Sequence, residues 1–224
     1  MNKLFALVFF LGGVLLLANV AFPIFSYELT KAAWLDQQLL FPMSEKGAIL
    51  GQSAQNLAVL AQTSKNLVSP SNWFENNQDN LETKSSTKFY TVSIPQLKID
   101  KASVEVSGED LSKNLVQYPG TALPGKSGNT VIFGHSVLPQ FFNPKNYLTI
   151  FSTLPTIKKG DEIIVDYDGI TYKYKVSELF EVSPKAIEVL RQYHDGPHLT
   201  LITCVPPGTY LRRLVVRANL VPEI

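Results

Sequence analysis

The chain has 224 residues, of which 45% are hydrophobic and 17% charged, and its formal net charge is +1. That balance removes the electrostatic case for a nucleic-acid partner or for strong adsorption to anionic lipid, and it suits one globular domain plus attachments. With one cysteine, Cys204, no internal disulfide can form.

Residues 1–25 form the first unit. After Lys3, residues 4–25 contain no charge and one strongly polar side chain, Asn19. A helix rises about 1.5 Å per residue, so about 20 residues cross a hydrocarbon layer of about 30 Å. A cleaved secretory signal has a shorter apolar core, of about 7–15 residues. Ala18-Asn19-Val20-Ala21 also lacks the small-residue pair that cleavage needs. The segment reads as an uncleaved signal-anchor, with Lys3 on the cytoplasmic side and the remainder outside the cell membrane as a single-pass protein. An exported domain is free to use disulfides, so a lone cysteine there is one kept for chemistry.

Residues 26–88 read as an extracytoplasmic stalk. Apolar positions at Leu29, Ala32, Ala33, Leu35 and Leu39 suggest a short helix continuing outward, and Ile49, Leu50, Leu57, Leu60 and Leu67 suggest a second. Beyond Ser69-Pro70 the composition turns to Asn, Gln, Ser and Thr, as in a solvated linker.

From residue 89 the pattern becomes short alternating segments, and residues 89–224 read as one all-β domain. Strands are expected at 90–94, 102–106, 129–134, 162–167, 170–177, 199–203 and 213–221. Asp168-Gly169 between two of them is a turn pair suited to a two-residue hairpin, where both central residues need positive φ. Seven or eight strands at this spacing suggest a barrel or sandwich, and a closed barrel would remove exposed edges. Short helices are expected at 143–152 and 184–192, the second with Pro184 in its first turn.

Three residue types at strand ends stand out. Leu199-Thr200-Leu201-Ile202-Thr203-Cys204 is an apolar run stopped by Pro206-Pro207, since proline cannot donate to a central ladder. Asn129-Thr130-Val131-Ile132-Phe133-Gly134 leads into His135-Ser136. Arg212 and Arg213 open the final strand, where alternation puts Arg213, Val215 and Arg217 on one face and turns Arg212 away. A lone cysteine is most often an inert core residue. A thiol, an imidazole and a guanidinium together supply a nucleophile, a proton shuttle and an anion stabiliser. His194 and His198 flank Asp195-Gly196-Pro197, where no regular helix could bring them to one metal, and they read as loop histidines. No Gly-x-Ser-x-Gly elbow accompanies Ser136.

These motifs resemble the sortase family. Thr200-Leu201-Ile202-Thr203-Cys204 matches its Thr-Leu-x-Thr-Cys signature. The Asn129–His135 run is similar to the strand that delivers its histidine, Arg213-Leu214-Val215-Val216-Arg217-Ala218 to the strand that supplies its arginine, and Tyr118-Pro119-Gly120-Thr121-Ala122-Leu123-Pro124-Gly125 to a segment ahead of the histidine. The resemblance covers roughly residues 89–221. It implies a closed seven- to eight-stranded β-barrel with short helices, and catalytic His135, Cys204 and Arg213, with Arg212 and Arg217 as surface or rim charges. It implies transpeptidation: cleavage of a Leu-Pro-x-Thr-Gly-like sorting motif on an exported protein, through a thioacyl enzyme, and transfer to an amine on a peptidoglycan precursor or a pilin. No cofactor or metal is expected. The segment 177–197 corresponds to the one that shapes the substrate groove in this family. Some pilin-assembling members carry an Asp-Pro-aromatic lid, whereas Ser69-Pro70-Ser71-Asn72-Trp73-Phe74 lacks the aspartate and the spacing and reads as stalk. Two other classes stay open: a membrane-tethered, non-catalytic β-domain that binds exported proteins or wall polymer, and a cysteine peptidase or transpeptidase of another family.

Overall fold

A computed structural model describes residues 2–35, 73 and 87–222. The second stalk helix and most of the polar linker fall outside the described residues. One helix, α1 (Asn2–Leu35), runs through the apolar segment and beyond it, with Pro23 inside. Its stretch Phe5–Thr30 is long and apolar enough to cross a membrane.

Eight strands follow: β1 (Phe89–Ile94), β2 (Ile99–Val106), β3 (Leu115–Gln117), β4 (Gly128–Phe133), β5 (Glu162–Tyr167), β6 (Ile170–Val182), β7 (Pro197–Val205) and β8 (Arg212–Leu220). They close into a barrel in the order β1-β2-β3-β4-β7-β8-β6-β5, with β5 pairing back to β1. Neighbours are antiparallel except β2/β3 and β4/β7, which run parallel. The expected hairpin joins β5 to β6, with φ of 52° at Asp168 and 75° at Gly169.

Burial explains which sequence signals were strong. Strands β1 and β5 alternate buried with less buried positions, and their sequences alternate too. Strand β4 is buried at every position, and β7 is buried from Leu199 onward. Such strands carry continuous apolar runs because both faces are covered. One face contributes Ile132, Leu199, Leu201, Leu214 and Val216 to the barrel interior, alongside residues from every other strand, Leu115 of the short β3 included. The other face contributes Val131, Phe133, Ile202, Cys204 and Val215 to a second cluster on the barrel's outside.

Two helix expectations are corrected. Residues 143–152 form successive turns: Thr149 Oγ1 accepts from Asn143 N at 3.0 Å and Asn146 Oδ1 accepts from Leu148 N at 3.0 Å, so side chains capture the amides a helix would need. Between 184 and 192 there is only a 3-10 turn, Ile187–Leu190, which does not start at Pro184. The strand β3, three residues long, was not anticipated, being too short to show a period.

The segment between β6 and β7 is pinned to the barrel by polar groups. Gln192 Oε1 accepts from Asn129 N at 2.9 Å and from Ala122 N at 3.1 Å, and Gln192 Nε2 donates to Asn129 O at 3.1 Å. Asn129 Nδ2 donates to Val189 O and Arg191 O, each at 3.3 Å, while its Oδ1 accepts from Thr200 Oγ1 at 2.7 Å. This seats Val189 and Leu190 against the outer cluster.

At the end of β4, a Cβ on Gly134 would lie 2.4 Å from Phe151 Cδ2 and 2.7 Å from Leu115 Cδ2. Both neighbours are fully buried. Gly134→Ala is therefore expected to lower stability by about 1–3 kcal/mol through overpacking, read as a fall in the urea midpoint.

Candidate active site

The three candidate residues meet because of strand direction. Parallel pairing of β4 and β7 puts Phe133 opposite Ile202, so both chains leave the barrel at the same end. Three hydrogen bonds extend that pairing past the ladder. Gly134 N donates to Ile202 O at 3.2 Å, Thr203 Oγ1 to Gly134 O at 2.8 Å, and Ser136 Oγ to Cys204 O at 2.6 Å. His135 is thereby held beside the end of β7. Antiparallel pairing of β7 with β8 puts Cys204 directly opposite Arg213. Residues directly opposite across a ladder share a face, here the outer one.

The site is sealed. Cys204 is 1% exposed and Arg213 2%. Trp73, also 1% exposed, is the cover. Its ring meets Phe133 edge-on at 5.2 Å, lies 6.0 Å from the His135 ring, and has the Arg213 guanidinium carbon 5.0 Å from its centroid. Arg213 Nη2 donates to Trp73 O at 3.4 Å, and Nη1 donates to Tyr210 O at 3.2 Å. An aromatic face on a desolvated guanidinium is an attractive contact. Trp73, the one residue of the 69–74 segment among those described, thus packs on the barrel beside the site. The available signal was a tryptophan, a residue that gains much from burial, standing in an otherwise polar stretch.

Burial sets the protonation states. It pushes the Cys204 thiol up to about 11, with the Arg213 charge acting in the opposite direction. It pushes His135 down to about 4, with Asp110 acting weakly the other way. Among the described residues, His135 Nε2 and Arg213 Nε are buried without a hydrogen-bond partner. Each carries a desolvation penalty that a hydrogen bond from a bound polar group would relieve.

The other basic candidates are occupied. Arg212 points away from the site and pairs with Glu28 and, at 2.6 Å, with Glu181. Arg217 pairs with Glu178 at 2.7 Å and stacks on Phe180 and Tyr193. His198 lies in β7 between Asp195 at 2.9 Å and Asn219 at 3.0 Å. Of the segment expected to shape a groove, residues 177–182 belong to β6 and Pro197 opens β7, and the remainder is the connection pinned to the barrel by Asn129 and Gln192.

The sortase domain model matches residues 92–221. The chain belongs to the sortase family. Sortases are cysteine transpeptidases, and the closed eight-stranded barrel is their fold. This sortase is 31% identical to Sortase A of Bacillus anthracis over 133 residues, which covers 58% of each chain. It is 26% identical to Sortase A of Streptococcus agalactiae over 130 residues, 58% of this chain and 51% of that one. The matches thus span under two thirds of these relatives' lengths. Among solved structures, Sortase A from Corynebacterium diphtheriae, a lid mutant, aligns with TM-score 0.54 and 29% identity over 66% of this chain and 76% of that one. The pilus-related Sortase C of Group B Streptococcus aligns with TM-score 0.54 and 26% identity over 78% and 92%.

Two outcomes are expected. Trp73→Ala should raise the rate at which a thiol reagent labels Cys204 at pH 7 by roughly tenfold or more, while Trp73→Phe stays near the parent rate; intact mass over time reads both. The second concerns acid. The folded-state value of His135 lies near 4 against an unfolded value near 6.5, so the unfolded chain binds more protons between them. The stabilising contribution of neutral His135 is whole above about 6.5 and is lost as pH falls toward 4. His135→Gln should flatten the fall of the urea midpoint across that window relative to the parent.

Proposed function

We propose that this chain is a membrane-anchored sortase-type transpeptidase that cuts a Leu-Pro-x-Thr-Gly-like sorting motif and passes the acyl part to an amine. The observation that carries this reading is the cross-strand pairing of Cys204 with Arg213 beside His135, on one face and at one end of the barrel. The anchor is α1, whose Phe5–Thr30 stretch has the length and composition of a membrane span, and the barrel lies on the extracytoplasmic side.

The chemistry follows from the groups. The sealed site holds the thiol and the imidazole in their neutral forms. Once a substrate displaces Trp73, His135 accepts the Cys204 proton as sulfur adds to the Thr carbonyl carbon. Arg213 cannot serve as a base; its guanidinium donates to the oxyanion of the tetrahedral intermediate. Collapse breaks the Thr–Gly C–N bond, and His135 returns the proton to the leaving amine. An incoming amine then attacks the thioester carbonyl and gives its proton to His135. Expulsion of the sulfur forms the new amide, and the proton goes back to Cys204. The acceptor is an amine of a peptidoglycan precursor or a pilin, and the donor is an exported protein bearing the motif. No step calls for a cofactor or metal.

The test uses the full chain in detergent with a panel of sorting pentapeptides and small amine acceptors, with products read by mass. A thioacyl adduct on Cys204 and an amide product are expected, and both should vanish in Cys204→Ala. Arg213→Ala should lower turnover by about 100–1,000-fold, the loss typical of removing one oxyanion donor. Equal turnover by Cys204→Ala would overturn the mechanism.

A further inference from the structure

The loops that leave the barrel beside the site are apolar and exposed, and they lie against α1. After His135 the chain makes a 3-10 turn, Pro139–Phe141, whose Phe141 is 63% exposed. After Cys204 the β7–β8 connection presents Tyr210 and Leu211, 50% and 66% exposed. The two loops touch: a Cβ on Gly208 would lie 3.1 Å from Leu138 Cδ2. They therefore form one surface, at the barrel end where β8 begins.

Three contacts join that end to the helix. Tyr27 donates to Glu181, Glu28 pairs with Arg212, and Gln140 Nε2 donates to Asn19 O at 3.4 Å. Tyr27 is buried among the residues of the barrel interior. Asn19 precedes Tyr27 by more than two helical turns, about 12 Å along the axis. Gln140, the neighbour of Phe141, thus sits alongside the Phe5–Thr30 stretch and not beyond its end.

From this we infer that Phe141, Tyr210 and Leu211 dip into the outer interface of the bilayer that α1 crosses, so that the site opens at the membrane surface. The inference rests on the anchoring proposed above. The occupant is lipid because the chain neighbours of the patch, Gln140 and Arg212, bond Asn19 and Glu28 of the apolar helix, and aromatic and aliphatic side chains beside a span settle at the headgroup–acyl boundary. The barrel's other end has a comparison point. Ile170 opens β6 and is 54% exposed, but Val182 at the far end of β6 is the residue paired with Arg213. At about 3.3 Å per residue, Ile170 lies about 40 Å along the strand from Val182.

The experiment places the full chain in phosphatidylcholine vesicles, in a Cys204→Ala background. A single cysteine is introduced by F141C, L211C or I170C and labelled with an environment-sensitive fluorophore. Flotation first reads anchoring. Lipids with a quencher at the acyl-chain top are then added. The expected result is blue-shifted emission at positions 141 and 211, with quenching roughly threefold or more stronger than at 170. Chains that float while positions 141 and 211 quench no more than 170 overturn this inference alone, and point to a protein occupant of the patch. Chains that do not float overturn the anchoring reading and this inference with it.

Discussion

The pairing of β7 with both β4 and β8 is the constraint on which the site depends. A parallel neighbour on one side and an antiparallel neighbour on the other bring the ends of β4 and β7 to the place where β8 begins. Residues 135, 204 and 213, far apart in the chain, become neighbours through strand direction and register alone. A one-residue slip of β8 would turn Arg213 to the opposite face, opposite in kind to Cys204. Burial guards against such a slip. Leu214 and Val216 fill the interior while Val215 fills the outer cluster, so a shifted register would exchange two differently shaped sets of apolar side chains.

The same burial defines the resting chemistry. Charge is expensive in a site closed to water, so a thiol pushed up to about 11 and an imidazole pushed down to about 4 both remain neutral at pH 7. Arg213 cannot escape by losing its proton. It is held by the Tyr210 and Trp73 carbonyls and by the Trp73 ring, which together replace part of the lost hydration. In the proposed mechanism, displacing Trp73 would take its ring and carbonyl from the guanidinium and free it to donate to an incoming oxygen.

Much of this was legible in the residues, for local reasons. Asp168-Gly169 reported its hairpin because a two-residue turn needs positive φ twice. The site strands were visible as continuous apolar runs ending in proline, glycine or arginine, which is how doubly covered strands look. Alternation put Arg212 and Arg213 on opposite faces, and the family resemblance selected Arg213. What escaped depended on side chains capturing the local backbone or on distant partners. Residues 143–152 have helical spacing, but Asn143, Asn146 and Thr149 bind the local backbone instead. Strand β3 exists because β2 and β4 flank it. Trp73 showed no pattern with its neighbours, since its contacts are Phe133, His135 and Arg213.

Two consecutive arginines tie the site to the rest of the molecule. Opposite orientation along a strand sends Arg212 to Glu28 and Glu181, beneath α1, and Arg213 to Trp73 and the face of Cys204. The helix and the cover are thus held by adjacent residues of one strand. Arg213 Nη1 also donates to the Arg212 main-chain carbonyl at 3.4 Å. An exposed ion pair contributes little by itself, but Glu181 is nearly buried and also accepts from Tyr27, which plugs the end of the interior. Displacing the helix from the barrel would uncover Tyr27 and loosen Arg212 at the point where β8 positions Arg213. The helix and the cover thus both bear on the start of β8, the strand that sets Arg213 opposite Cys204.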